Sequence, residues 1–201
     1  MKKFAVVLFA AALAACNSQT ENAGQPATDT TPTTETTATA YDTAATTTGS
    51  TGGTLSNMSP EDKEFVIKAG QGGLAEVQMG NLALEKASHA DVKAFAQRMV
   101  TDHGTANTEL QQLAINKGLS LPTELDAHHK SGLDHLNGLS ATEFDKAYMQ
   151  HMVDDHTKTV ADFEKASQSA SDSDVKGWAA KTLPTLQDHL RQAKEVSSKL
   201  K

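Results

Sequence analysis

The sequence runs to 201 residues, 38% hydrophobic and 21% charged, with a formal net charge of −7 and a single cysteine. That acidic balance, with no basic cluster, argues against nucleic acid as a partner and against an electrostatic hold on anionic lipid. One cysteine excludes an intramolecular disulfide.

The chain opens MKKFAVVLFAAALAAC. Two lysines precede an apolar run from Phe4 to Ala15 that is too short to span a bilayer comfortably, so it reads as a secretory signal over 1–15. Its end, Leu13-Ala14-Ala15-Cys16, resembles the bacterial lipobox, which implies cleavage before Cys16 and lipid on that cysteine. An ordinary cleaved signal with an incidental cysteine is the alternative. Several acyl chains make a stable anchor where one would be marginal. The expected partner is therefore a membrane, reached through lipidated Cys16. Asn17, rather than aspartate, follows the cysteine. By similarity to sorting in enteric bacteria this points to the cell envelope, on the periplasmic side of the outer membrane. The stretch to residue 57 is threonine-rich with Pro, Gly and Ala, too poor in apolar side chains to offset the entropy of ordering. Residues 16–57 read as a disordered tether with a reach on the order of 35 Å, or as an O-glycosylated stalk.

Residues 58–201 read as one all-α domain. Ser59-Pro60-Glu61-Asp62 is a helix start, and the first helix runs from Pro60 to about Ala87. Gly70, Gly72 and Gly73 bend it or let another helix approach. Ser88, with Asp91 three residues on, opens a second helix. Its apolar line is Val92, Phe95, Ala96, Met99, Ala106, Leu110 and Leu113, and Gly118 ends it. A short helix covers about 123–137. Ser140 to Glu143 is a capping box opening a helix to about Ser167. Ser173 opens the last, to about Leu200, with Pro184 expected to kink or split it. The second half repeats the first. Residues 64–87 lie on 143–166 without a gap, and DVKAFAQR at 91–98 matches DVKGWAAK at 174–181. The pairs Asp102-His103 and Asp188-His189 close the correspondence, the second three residues late.

Helical phase places His103 and His189 on the apolar stripes of their helices. His151 and Asp155 share the face of Phe144 and Tyr148, and Glu76 lies between Gly73 and Gly80. Asp102, Asp188 and His156 fall at the flanks. Buried carboxylates must be paired, hydrogen-bonded or metal-bound. The candidate metal ligands are thus Glu76, His103, His151, Asp155 and His189, supported from behind by Asp102, His156 and Asp188. Iron, manganese or zinc suits such donors; a network of imidazoles and carboxylates alone is the other reading. His128, His129 and His135 read as solvated, and Trp178, Tyr148 and the phenylalanines as packing.

Two hairpins, each giving a carboxylate from its first helix and a histidine from its second, resemble the ferritin-like four-helix bundle. The segments GGLAEVQMGNLALEKA, VKAFAQRMVTDH, YMQHMVDDHTKTV and KTLPTLQDHL are similar to an uncharacterised bacterial family of exported ferritin-like proteins, domain of unknown function 4142. The resemblance implies the fold and an envelope location, but no activity. Di-iron bundles carry Glu-x-x-His on both second helices. Here Val100 and Leu186 stand three residues before the histidines, so a standard oxygen-activating di-iron centre is not expected. No Gly-rich phosphate loop, cysteine nucleophile or serine elbow is present, and the leading reading is non-enzymatic. It is a lipid-anchored envelope protein in stress tolerance or metal handling. A metal-storage or oxidoreductase bundle and an interaction module of the envelope are the alternatives.

Replacing Cys16 with serine is expected to release the protein from membranes or leave the precursor uncleaved. Membrane fractionation of C16S checks this, and normal processing with unchanged membrane association would count against lipid attachment.

Overall fold

The computed structural model describes residues 58–200. The expected signal 1–15, Cys16 and the tether 16–57 lie outside the described residues. Five helices follow in order: α1 Pro60–Lys86, α2 Ala90–Asn116, α3 Ala127–Asn137, α4 Ala141–Ser169 and α5 Ser173–Lys199. No strand occurs among the described residues, and none of these helices is long and apolar enough to cross a membrane. The fold is an all-α four-helix bundle of two hairpins, α1–α2 and α4–α5, with α3 in the connection.

The helix ends follow from local chemistry. Ser59 caps α1 by accepting from the Asp62 N–H at 3.1 Å, with Pro60 at the first position. The Glu143 carboxylate accepts from the Ser140 N–H at 3.3 Å in the expected capping box of α4. Gly118 supplies the left-handed turn after α2, at φ 65°. Two caps differ from expectation. His89, not Ser88, caps α2, its Nδ1 accepting from the Asp91 N–H, and Asp172, not Ser173, caps α5. Pro184 does not split α5. It sits on the exposed face, and so does Ala180, whose carbonyl it leaves without an amide, so solvent can satisfy that group.

Ser88 is otherwise engaged. Buried Asp145, at the start of α4, accepts from the Ser88 and His89 amides at 3.1 and 2.9 Å and from the Ser88 hydroxyl. Buried Asp62, at the start of α1, accepts from the Ser171 and Asp172 amides at 3.1 and 2.8 Å. Each hairpin thus grips the turn of the other. Two ion pairs repeat the pattern: Lys117 at the end of α2 with Asp174 at the start of α5, and Lys199 at the end of α5 with Asp91 at the start of α2. The aspartate contacts set the repeat at 83 residues, the step from Asp62 to Asp145 and from Ala90 to Ser173, and the two lysines fall within one residue of it. Asp62 corresponds to Asp145, Ser88 to Ser171 and Phe95 to Trp178.

The alignment of 64–87 on 143–166 is therefore one turn out of register. Glu76 corresponds to Thr159 rather than Asp155, and His103 to Leu186 rather than His189. A four-residue slip turns a helix by only about 40°, so an amphipathic pattern cannot resist it. The tetrapeptide Glu-Lys-Ala-Ser at 85–88 and again at 164–167 strengthens the false match.

The same contacts define the topology. The end of α2 lies beside the start of α5, whereas the start of α4 lies beside the start of α2. The connection must travel the length of the bundle, about 40 Å, and α3 packs on α1 and α4 on the way. One long crossover between two hairpins is the ferritin-like arrangement. Two glycines set the spacing of α1 and α2. A Cβ on Gly80 would stand 2.8 Å from Val100 Cγ2 and 3.3 Å from the Ala96 carbonyl, and one on Gly73 would meet the Asn107 amide at 2.0 Å. Close approach, not bending, is their role.

Asp62→Ala and Asp145→Ala should each lower stability by about 1–3 kcal/mol by stranding part-buried amides. Asp145→Asn, which keeps an acceptor, should cost less. Urea unfolding midpoints measure this, and equal stability of D145A and the parent would contradict the clasp.

Candidate metal centre

Two apolar clusters fill the bundle, one around Met79, Phe95, Met99, Phe144, Tyr148 and Met152, the other around Val66, Leu110, Phe163, Trp178 and Leu186. Each long helix passes from one to the other, and at each crossing stands a buried polar side chain. These are Glu76 on α1, His103 on α2, His156 on α4 and His189 on α5, at 4%, 6%, 0% and 0% exposure.

The three imidazoles form a compact triad. Ring centroids are 5.2 Å apart for His103 and His189, 5.4 Å for His156 and His189, and 5.7 Å for His103 and His156. Each offers one nitrogen, and these three atoms lie within 4.8 Å of one another. On every ring one nitrogen has an oxygen partner. His103 Nδ1 lies 2.9 Å from Glu76 Oε2, His156 Nδ1 lies 3.0 Å from the Met152 carbonyl, and His189 Nε2 lies 2.8 Å from Asp102 Oδ2. The other nitrogens, His103 Nε2, His156 Nε2 and His189 Nδ1, are buried without a hydrogen-bond partner. Placing N–H on the partnered atoms leaves three lone pairs for a shared ligand.

Burial sets the protonation. It pushes His103 and His189 down to about 4 and lowers His156 as well; all three rings are neutral at pH 7. Burial pushes Glu76 up to about 8, opposed by His156 and reinforced by Asp155. Asp102 is pushed up by burial, but His189 and Arg98 outweigh this and hold it below the usual carboxylate range. Arg98 Nε donates to Asp102 at 3.1 Å and also reaches Asp188.

Of the candidate ligands, the structure gathers Glu76, His103 and His189, with Asp155 half-buried beside Glu76. His156, placed at the flank from sequence, is wholly buried in the triad. Phe144 and Tyr148 alone centre the face of α4 near His151. Met149, Met152 and Phe163, also buried, move that centre by roughly 60°, at about 100° per residue. His156, four residues after Met152, lies within the corrected stripe. His151 is half-buried and turned toward α3, its Cε1 3.8 Å from where a Cβ on Gly132 would stand. Asp102 stands behind His189 as expected. Asp188 does not reach a histidine and pairs with Arg98 and Arg191. The sequence signal for Arg98 is its place four residues before Asp102, the spacing of an i,i+4 ion pair. His128 and His135 are exposed, and His129 bonds Asp126 at 2.9 Å.

A cavity of about 50 Å³ adjoins the polar layer, lined by Glu76, His103, Phe65, Phe163 and Trp178. It also holds Gly73, Ala106, Thr159 and Leu186. These are the repeat equivalents of His156, His189, Glu76 and His103.

Two solved structures share the fold. A DUF305 fragment from Deinococcus radiodurans is 14% identical with a TM-score of 0.63, over 71% of this chain and 98% of that one. CopM in its Cu(II)-bound form is 16% identical with a TM-score of 0.60, over 70% and 97%. No protein of curated function matches. Residues 43–196 match the family described as Domain of unknown function (DUF4142). The chain belongs to that family.

Proposed function

We propose that this is a metal-handling protein of the cell envelope, lipid-anchored through Cys16, which binds one copper or zinc ion on His103, His156 and His189. The observation that carries the reading is a triad of buried imidazoles, each offering one nitrogen within 4.8 Å of the others and each with one ring nitrogen unpartnered while the other meets an oxygen. Metal-bound histidines almost always show that arrangement. Three neutral nitrogens suit zinc and copper better than the oxygen-seeking iron or manganese. The shared fold with a protein described in a Cu(II)-bound form agrees with copper. An interaction module has less support. Among the described residues the exposed large apolar side chains are Ile67 and Ile115, too little for a docking patch.

In Cu(II) titration of the purified chain without a metal-binding tag, a single high-affinity ion with nitrogen hyperfine structure in its electron paramagnetic resonance spectrum is expected. Asp102→Asn should weaken binding by about 10–100-fold, as loss of an outer partner does. His103→Ala and His189→Ala should weaken it further, and His151→Ala should leave it unchanged. Unaltered Cu(II) affinity in H103A and H189A would falsify the reading.

The metal-free chain should have its own pH signature. Glu76, at about 8 folded against 4.5 ordinarily, favours the folded state fully below pH 4.5 and loses that contribution as pH rises toward 8. His103 and His189, at about 4 against 6.5, favour the folded state above pH 6.5 and lose it as pH falls toward 4. Stability should therefore peak near pH 6.5. Glu76→Gln should remove the alkaline decline and keep the acid one, as read by urea unfolding in the presence of chelator.

A further inference from the structure

Beside the triad a second set of donors meets. Glu76, Asp155 and His156 each offer one atom, and these lie within 4.8 Å of one another. Two carboxylates that close repel unless a proton or a cation stands between them. The close contacts that the structure gives the Glu76 carboxyl are with His103 and His156, not with lysine or arginine. Its two oxygens are divided. Oε2 takes the His103 Nδ1 contact at 2.9 Å, while Oε1, buried and without a hydrogen-bond partner, faces His156 Nδ1 at 3.2 Å. His156 is divided in the same way. Nδ1 faces Glu76, and Nε2 is the nitrogen left unpartnered. Asp155 is half-buried and joins this group to the surface, whereas His156 and His189 of the triad are wholly buried.

We propose a second divalent transition-metal site between Glu76, Asp155 and His156, adjacent to the triad ion, with the His156 ring shared by the two. The proposal rests on the triad being a metal centre. Two carboxylate oxygens and one nitrogen are a harder donor set than three imidazoles, so zinc, manganese or iron(II) fits the second site and copper the first. When Nδ1 takes the second ion, its proton, now directed at the Met152 carbonyl, leaves to solvent, and the ring carries one ion on each nitrogen. The proton of the Glu76 carboxyl leaves to solvent in the same step; Glu76 keeps Oε2 on His103 and gives Oε1 to the ion.

Zinc is the probe. The chain carrying His128→Ala and His129→Ala, which removes the histidine pair of α3, is titrated calorimetrically with Zn(II), and zinc is then measured after gel filtration. Two zinc ions per chain are expected, falling to one on adding Asp155→Asn, with the thermal melting of the chelated protein unchanged. One zinc ion with and without D155N overturns the second site and leaves the triad standing. Two ions that survive D155N overturn the assignment to Asp155. No zinc at all overturns both readings. Loss of cooperative melting in D155N would make Asp155→Glu the deciding variant; it keeps a carboxylate and must restore the second ion.

Discussion

A carboxyl group at the middle of a helical bundle cannot be left to itself, and Glu76 is the constraint to which the rest of the centre answers. Its burial would cost several kcal/mol if it were ionised and unpaired. The structure meets this with a protonated side chain, held neutral to about pH 8, and with contacts to His103 and His156. Those contacts require α1 to approach α2 closely. Gly73 and Gly80, one turn to either side of Glu76, provide the approach. The apolar clusters above and below then bound the polar layer at both ends. Removing either glycine's freedom would move Glu76 away from His103, so packing and site are a single problem.

The scaffold is symmetric and the site is not. Asp62 and Asp145, Lys117 and Lys199, and the equal lengths of α2 and α5 belong to a duplicated hairpin. The donors do not. Their repeat equivalents are Thr159, Leu186, Gly73 and Ala106, none of them a metal ligand and all of them lining the adjacent cavity. Where one half of the centre carries imidazoles, the other carries smaller or apolar side chains, and the difference in volume is the cavity. A symmetric bundle thus holds one donor cluster with a space beside it, instead of two equivalent clusters.

Much of this was legible in the sequence. Capping residues and 3.6-residue periodicity marked the helices, because backbone amides at helix starts need acceptors and apolar stripes need partners. His103 and His189 were readable as inward because each sits within an unbroken apolar stripe. His156 was not, because two overlapping faces of α4 are both partly apolar, and only the added methionines and Phe163 decide between them. The register of the repeat was not legible either. It is held by Asp62 and Asp145, whose partners are backbone amides more than fifty residues away, and no local pattern marks a side chain that binds a distant main chain.

The order of the donors separates this centre from the carboxylate-bridged di-iron arrangement that its topology brings to mind. There, carboxylates touch the metal and histidines complete the set. Here three imidazoles each leave one nitrogen unpartnered, and a carboxylate meets the other nitrogen of two of them, Glu76 on His103 and Asp102 on His189. Three neutral ligands leave the charge of an ion uncompensated in a low-dielectric interior. The nearest compensation is the proton on Glu76. An ion in the triad would lower the cost of ionising that carboxyl, and ionised Glu76 would in turn strengthen His103 as a donor. Metal binding at the triad would therefore be coupled to loss of the Glu76 proton, each making the other more favourable.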